Sequence, residues 1–419
     1  MGSLSKRSCM SKSILSAAVA AVIVSAGAMT ASTVMAGESK PTVSKAAAKD
    51  MKAAQDAMNA KNYTECVSKA QAGMNAAGHT TFDTYVANQL LGFCHVKLGN
   101  NDAAVQAYEA QIESGFMAPD EQTKLTVQVA NVYYGMKNYP KAVELGNKLI
   151  KSGAGNADIY TVVGQSLYLQ NKNAEAAKFM ADYVADMEKR GQQPKEQSLL
   201  LMRGAYDRAG NNAGATDALE KLVMYYPKKE YWKNLMFSLR QIQGMNDRQT
   251  LQVYRLMMAN GTMEGASDFT EMAELAVSGG NPAEAQKVLE AGMAANAFVE
   301  QRDKDRAARM LESVKKSSAA DQANLPKLEK EVAAAKTGDV QAALGNAYLS
   351  FGENQKAVDA FSAAIAKGGL KNLPDVQLTQ GVAYFRAGNK AEALKAFKAV
   401  KADDMVYPRL AKLWSLHVQ

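Results

Sequence analysis

Histidine, cysteine, proline and tryptophan are all scarce: the 419 residues hold 3 His, 3 Cys, 9 Pro and 2 Trp. His79, His95 and His417 are widely separated, which leaves no clustered imidazoles for a metal site or a histidine-dependent nucleophile. No Walker A, GxSxG, HExxH or CxxC pattern is found. Cys94 and His95 are neighbours, but adjacent helical residues point in different directions, so they make no reactive pair. No catalytic residue, metal-ligand set or cofactor motif is identified, and the chain reads as a non-enzyme. The 22 methionines fall mostly at helical core spacing, as gap fillers. Runs of alternating Val, Ile and Thr are absent, while Ala, Leu, Met, Glu, Gln and Lys dominate, so the chain reads as all-α.

Charge is also modest. The formal net charge is +7, and residues 1–36 carry Lys6, Arg7 and Lys12 without an acid, so the remainder is only +4. That gives no concentrated basic stripe and argues against nucleic acid as a partner. Residues 1–36 read as a cleaved signal peptide. From Met10 there is Lys12, an apolar stretch from Ile14 to Ala28, and Val34-Met35-Ala36 before Gly37. Met1 to Cys9 then reads as an upstream extension, with Met10 a second candidate start. The apolar stretch is short of the roughly 20 residues a membrane span needs. No later stretch reaches that length, so no span is expected in the mature form. Residues 37–45 form a polar linker with Pro41. Signal peptide and composition together suggest the periplasm of a Gram-negative bacterium.

Order in the chain is clearest from Asp339 to Lys401. Gly345, Tyr348, Gly352, Ala357 and Phe361 recur as Gly381, Tyr384, Gly388, Ala393 and Phe397, at a constant offset of 36 residues. A fixed period of this length with small and aromatic residues in fixed places marks a helical repeat. The pattern resembles the tetratricopeptide repeat: a small residue and an aromatic on helix A, a turn glycine, then alanine and an aromatic on helix B. Small side chains let the two helix axes approach, and a glycine at the end of helix A accepts the left-handed conformation found at helix C-termini.

The resemblance can be followed back to Ala46. The positions expected to pack helix on helix are Gly92, Ala104, Gly164, Ala176, Ala273, Ala285, Gly345, Ala357, Gly381 and Ala393. Arg203 occupies a small-residue position, a departure that implies loose packing or a side chain reaching out to water. His95 takes a core aromatic's place and reads as a packed imidazole. The expected architecture is an α-solenoid, a right-handed superhelix of eight or nine hairpins. Residues 46–299 form the array and 337–401 two strong repeats, and 402–419 form a capping helix with Leu410, Leu413, Trp414 and His417 on one face. Residues 300–336 break the pattern. A charged helix followed by another from Pro326 suggests an eroded repeat, or alternatively a charged hinge.

Cys66 and Cys94 fall on adjacent helices in this register. In an oxidising compartment they are a disulfide candidate; the other reading is two small buried hydrophobes.

The resemblance also implies where a partner would bind. Helix A positions on the concave face hold Asn131, Tyr134, Gln165, Tyr168, Arg208, Lys233, Arg240, Asn346 and Arg386. Asn131 and Gln165 occupy equivalent places in successive repeats, as do Tyr134 and Tyr168. An amide ladder beside an aromatic ladder suits an extended peptide. The clamp that some family members use for a chaperone's C-terminal carboxylate is not expected, because Val127 stands where it needs lysine. The resulting expectation is a non-catalytic periplasmic scaffold that binds a protein or peptide within a cell-envelope complex, accessory to TonB-type energised transport or to envelope biogenesis. The alternatives are a peptidoglycan-binding helical subunit of a cell-wall enzyme and a structural homo-oligomer; the sequence leaves the oligomeric state open.

Overall fold

The computed structural model describes residues 41–419. The expected signal peptide lies outside the described residues. Among those described, the chain forms 20 α-helices and no strand. They fall into two compact units divided between Arg190 and Gly191.

Unit 1 holds four hairpins: α1 (Ala48–Asn59) with α2 (Tyr63–Met74), α3 (Thr81–Leu98) with α4 (Asn101–Glu113), α5 (Pro119–Gly135) with α6 (Tyr139–Lys151), and α7 (Ala157–Leu169) with α8 (Asn173–Lys189). Asparagines begin several of these helices. The side chains of Asn62, Asn138 and Asn156 accept backbone N–H bonds from the first turn, satisfying donors the helix itself leaves open. The turn between the two helices of a hairpin needs one residue at positive φ. Gly99 supplies it at φ 76°, but Lys137 and Asn171 take the same role at 61° and 59°. A side chain there is strained, so the turn geometry belongs to the fold and is imposed where glycine is missing.

Within a hairpin the close approach rests on a specific pair. A Cβ built at Gly92 would lie 2.2 Å from the Tyr108 ring; at Gly345 it would lie 2.8 Å from Phe361, and at Gly381 2.3 Å from Phe397. The aromatic of helix B therefore lies on the bare backbone of helix A. Ala104, Ala176, Ala273, Ala285, Ala357 and Ala393 are fully buried, and Gly164 is buried. Arg203, in a small-residue place, turns its guanidinium outward to Asp207 at 3.5 Å. A disulfide joins Cys66 on α2 to Cys94 on α3 and ties the first hairpin to the second. Both half-cystines lie in a core with Met51, Ala54, Ala70, Leu90 and Leu91.

Unit 2 opens with three hairpins: α9 (Glu196–Arg208) with α10 (Asn212–Tyr225), α11 (Lys229–Arg240) with α12 (Asp247–Asn260), and α13 (Ala266–Ser278) with α14 (Pro282–Ala294). Then comes α15 (Gln301–Ala334), a single helix of 34 residues. This corrects the expectation of two helices with a break at Pro326. The stretch from Ala319 to Ala323 is rich in helix formers, and Pro326 is accommodated inside the helix. One repeat's worth of sequence has opened into one long helix. Its first half packs on α14, while Leu325, Leu328 and Val332 in its second half pack on the core of the last hairpins.

Those hairpins are α16 (Asp339–Phe351) with α17 (Asn354–Lys367) and α18 (Leu373–Arg386) with α19 (Lys390–Ala399), followed by α20 (Val406–Val418). The last helix does more than cap the array's end. Besides α18 and α19 it packs against α10 and α12. Gln252 of α12 also donates to Asp375 and Thr379 of α18. The chain of unit 2 thus returns on itself: its last two hairpins and final helix rest on the second helices of its first hairpins.

Candidate functional site

Of the nine residues singled out for partner binding, those in unit 1 gather on the first helices of two successive hairpins. The Tyr134 hydroxyl donates to Gln165 Oε1 at 2.8 Å, bridging α5 and α7. The Tyr134 ring lies 5.9 Å from that of Tyr139, and burial raises the Tyr134 phenol above its ordinary pKa, so it is a donor at neutral pH. Asn131 is exposed one turn before Tyr134 and donates to Val127 O of its own helix at 2.8 Å. Tyr168 is half-buried one turn after Gln165. The two ladders expected from the sequence are therefore cross-linked: an amide of one hairpin meets the aromatic of the one before. On α3, Lys97 Nζ lies 5.3 Å from the Phe93 ring centroid, and Phe93 meets Tyr63 edge-on at 6.3 Å.

In unit 2 the corresponding cations are engaged within the fold. Lys233 pairs with Glu264 at 2.6 Å. Arg240 reaches Asp268 at 2.8 Å and Glu271 at 3.5 Å, lying over the Tyr254 ring at 4.9 Å. Arg386 approaches Glu284 at 3.7 Å. Arg208 is exposed and Asn346 half-buried. Three of the cations read as ligands for a partner thus also tie separate segments of the unit together.

Sequence reasoning missed the buried cluster in which Arg386 takes part. Arg255 holds Glu284 in a two-pronged pair, Nε to Oε1 at 2.9 Å and Nη2 to Oε2 at 2.6 Å, with both side chains buried. Burial alone would raise the Glu284 carboxyl. The charges of Arg255, and after it Arg386 and Lys287, outweigh that and hold it below the ordinary carboxylate value. Arg255 and Glu284 sit in the second helices of successive hairpins, where the repeat pattern calls only for core, so no pattern in the sequence marks them as partners.

Two of the three histidines are packed, and His79 is exposed. Burial lowers the His95 imidazole, and His417 lies among the rings of Trp232, Phe385 and Trp414 at 5.5–6.3 Å. An open, polar cleft of about 560 Å³ is lined by Asn246, Gln249, Asn372, Lys401, Asp404 and Tyr407 among others. Asp404 there caps α20 through the backbone N–H of Val406 at 2.8 Å. Among the described residues, no group of three or more His, Cys, Asp or Glu side chains is placed to hold a metal ion, and no helix is long and apolar enough to cross a membrane.

Within each unit, stacked hairpins with a small-on-aromatic contact define an α-helical repeat scaffold. Comparison with known families makes this more specific: tetratricopeptide repeat models match residues 85–114 and 332–408, so those stretches of the chain carry tetratricopeptide repeats. No curated protein matches it. Solved structures similar to it include a tetratricopeptide repeat protein from Parabacteroides merdae, 10% identical over 88% of this chain and 99% of that one, with a TM-score of 0.33. The TPR2AB domain of yeast Sti1, in complex with pHSP90, is 13% identical over 64% and 98%, with a TM-score of 0.33. Yeast Tom70 is 10% identical over 88% and 94%, with a TM-score of 0.25.

Proposed function

We propose that this chain is a non-catalytic scaffold of the bacterial cell envelope, working in the periplasm of a Gram-negative bacterium, and that unit 1 holds its peptide-binding face. The observation that carries the binding reading is the Tyr134–Gln165 bridge across α5 and α7. It fixes an aromatic and an amide side by side, with Asn131 exposed next to them. Such a surface gives an extended peptide backbone hydrogen-bond partners and its side chains an apolar slot. Unit 2 is the weaker candidate, because Lys233 and Arg240 would have to leave acidic partners to engage a ligand.

Location is supported by the signal-like residues 1–36 and by the buried Cys66–Cys94 disulfide, a bond that persists in oxidising compartments. The client is an envelope assembly, with energised transport of the TonB type or envelope biogenesis the processes favoured. Crosslinking and mass spectrometry on the envelope fraction would identify it. In the same fraction, Tyr134→Ala with Tyr168→Ala should abolish partner recovery while helicity stays intact. Recovery of the full partner set by that double variant would remove the site, and a chain found in the cytoplasm with residues 1–36 attached would remove the location.

A further inference from the structure

The contact that closes unit 2 has a different chemistry from the contacts that stack its hairpins. Stacking uses alanine, glycine and aromatic rings. The closing contact adds polar pairs to apolar packing: Gln252 bonds to Asp375 and Thr379, and Arg386 reaches across from α18 to Glu284 of α14. At its far end, Arg409 of α20 meets Asp217 at 2.5 Å and Glu220 at 2.6 Å on α10, and Lys412 meets Glu220 at 3.3 Å.

Helix α20 is two-sided in the same sense. Its apolar side belongs to the last hairpin, where Trp414 stacks on Phe397 with ring centroids 5.9 Å apart and an interplanar angle of 17°. Its cationic side belongs to the first hairpin of the unit. The two sides meet at His417, which touches Trp232 of α11 on one hand and Phe385 of α18 on the other. Three buried polar atoms at this contact have no hydrogen-bond partner: Trp414 Nε1, Gln252 Oε1 and Glu220 Oε1, the last met by the charge of Arg409. Unpaired buried groups cost the closed state free energy that hydration would return. Polar interfaces between parts of one chain resemble transient ones, and the Asp217 carboxylate is half-exposed, so water and competing charges reach the outer pair.

From this we infer that α20 is a detachable clasp. It stays on α18 and α19 and holds α10 through Arg409 and Lys412. When those two cations let go, the last two hairpins of unit 2 part from its first three, with each hairpin intact. This conformational device is independent of the peptide face proposed in unit 1.

The molecule carries its own reporter, since its two tryptophans, Trp232 and Trp414, both lie against His417. In the full chain, Arg409→Glu with Lys412→Glu sets acid against acid across the contact. The expected result is a red shift of tryptophan emission and faster hydrogen exchange through residues 247–260, with the far-ultraviolet helical signal unchanged. Adding Asp217→Lys and Glu220→Lys restores opposite charges and should return emission and exchange to the starting values. The inference is overturned by emission and exchange that do not change in the first variant, by loss of helicity together with emission, which would make α20 an integral part of the fold, or by failure of the charge swap to restore closure.

Discussion

Replacing Gly381 by alanine tests the packing rule of the array with the smallest possible change. The added Cβ would sit 2.3 Å from Phe397 Cε1, 2.5 Å from Cδ1 and 2.9 Å from Cζ. The ring cannot step aside easily, because it is 2% exposed and stacked on Trp414. Overpacking of this kind costs about 1–3 kcal/mol. Against it stands the gain of about 1 kcal/mol that alanine brings to a helix interior over glycine. The two terms leave a net loss of up to about 2 kcal/mol. For a unit of this size each kcal/mol moves the midpoint by about 2–4 °C, so the transition of unit 2 should fall by as much as about 8 °C. Thermal unfolding followed by circular dichroism and by tryptophan emission would measure it, the second probe reading the Phe397–Trp414 stack directly. Adding Phe397→Leu should make the pair less damaging than the sum of its parts, since each change relieves the other. A midpoint that rises in Gly381→Ala, as at an unobstructed helical glycine, would refute the small-on-aromatic contact.

Lys137→Gly should stabilise unit 1 by about 1 kcal/mol, because Lys137 holds φ 61° where a side chain is strained; the unit's urea midpoint checks it. Reducing the disulfide, or changing Cys66 and Cys94 together to serine, should cost unit 1 about 3–4 kcal/mol, given the sequence separation of 28 and the loop-entropy estimate. Unfolding with and without reductant should move the unit 1 transition alone. Glu284→Gln leaves Arg255 buried beside a neutral amide and should cost about 3–5 kcal/mol. The pH dependence has a definite sign: the Glu284 carboxyl is held below its ordinary carboxylate value, so its contribution is fully present above that ordinary value. It is lost as the pH falls through the lower folded-state value, and Glu284→Gln should flatten the acid limb of unit 2's stability profile.

Much of the fold was legible because the stacking residues obey a period. Gly345 and Gly381 could be paired with Phe361 and Phe397 by counting, and the structure places ring on glycine in both hairpins. Legibility ends where the chemistry is not periodic. Residues 301–334 were read as two helices because Pro326 is a common helix start. Yet the stretch before it, with Ala319, Ala320, Gln322 and Ala323, is made of helix formers, and Leu325, Leu328 and Val332 pack together on the core of the last hairpins, so the helix runs on. The closing contact of unit 2 was invisible for a different reason. Arg409 and Glu220 are 189 positions apart, and nothing in a local pattern ties a cation on one amphipathic helix to an acid on another.

The candidate site shows the same division from the functional side. Family position proposes which side chains would face a partner, but it does not say whether they are already engaged. Asn131, Tyr134 and Gln165 share one surface, and the bridge between the last two leaves Asn131 exposed beside them. Lys233, Arg240 and Arg386 occupy equivalent places and are tied to Glu264, Asp268 and Glu284. A ligand for unit 2 would therefore have to replace ion pairs, while a ligand for unit 1 would have to rotate one tyrosine hydroxyl. Exchanging a neutral hydrogen bond of about 1 kcal/mol is easier than displacing charge-assisted contacts worth more. That difference, and not the family position itself, is the physical reason to look for the partner on α5 and α7.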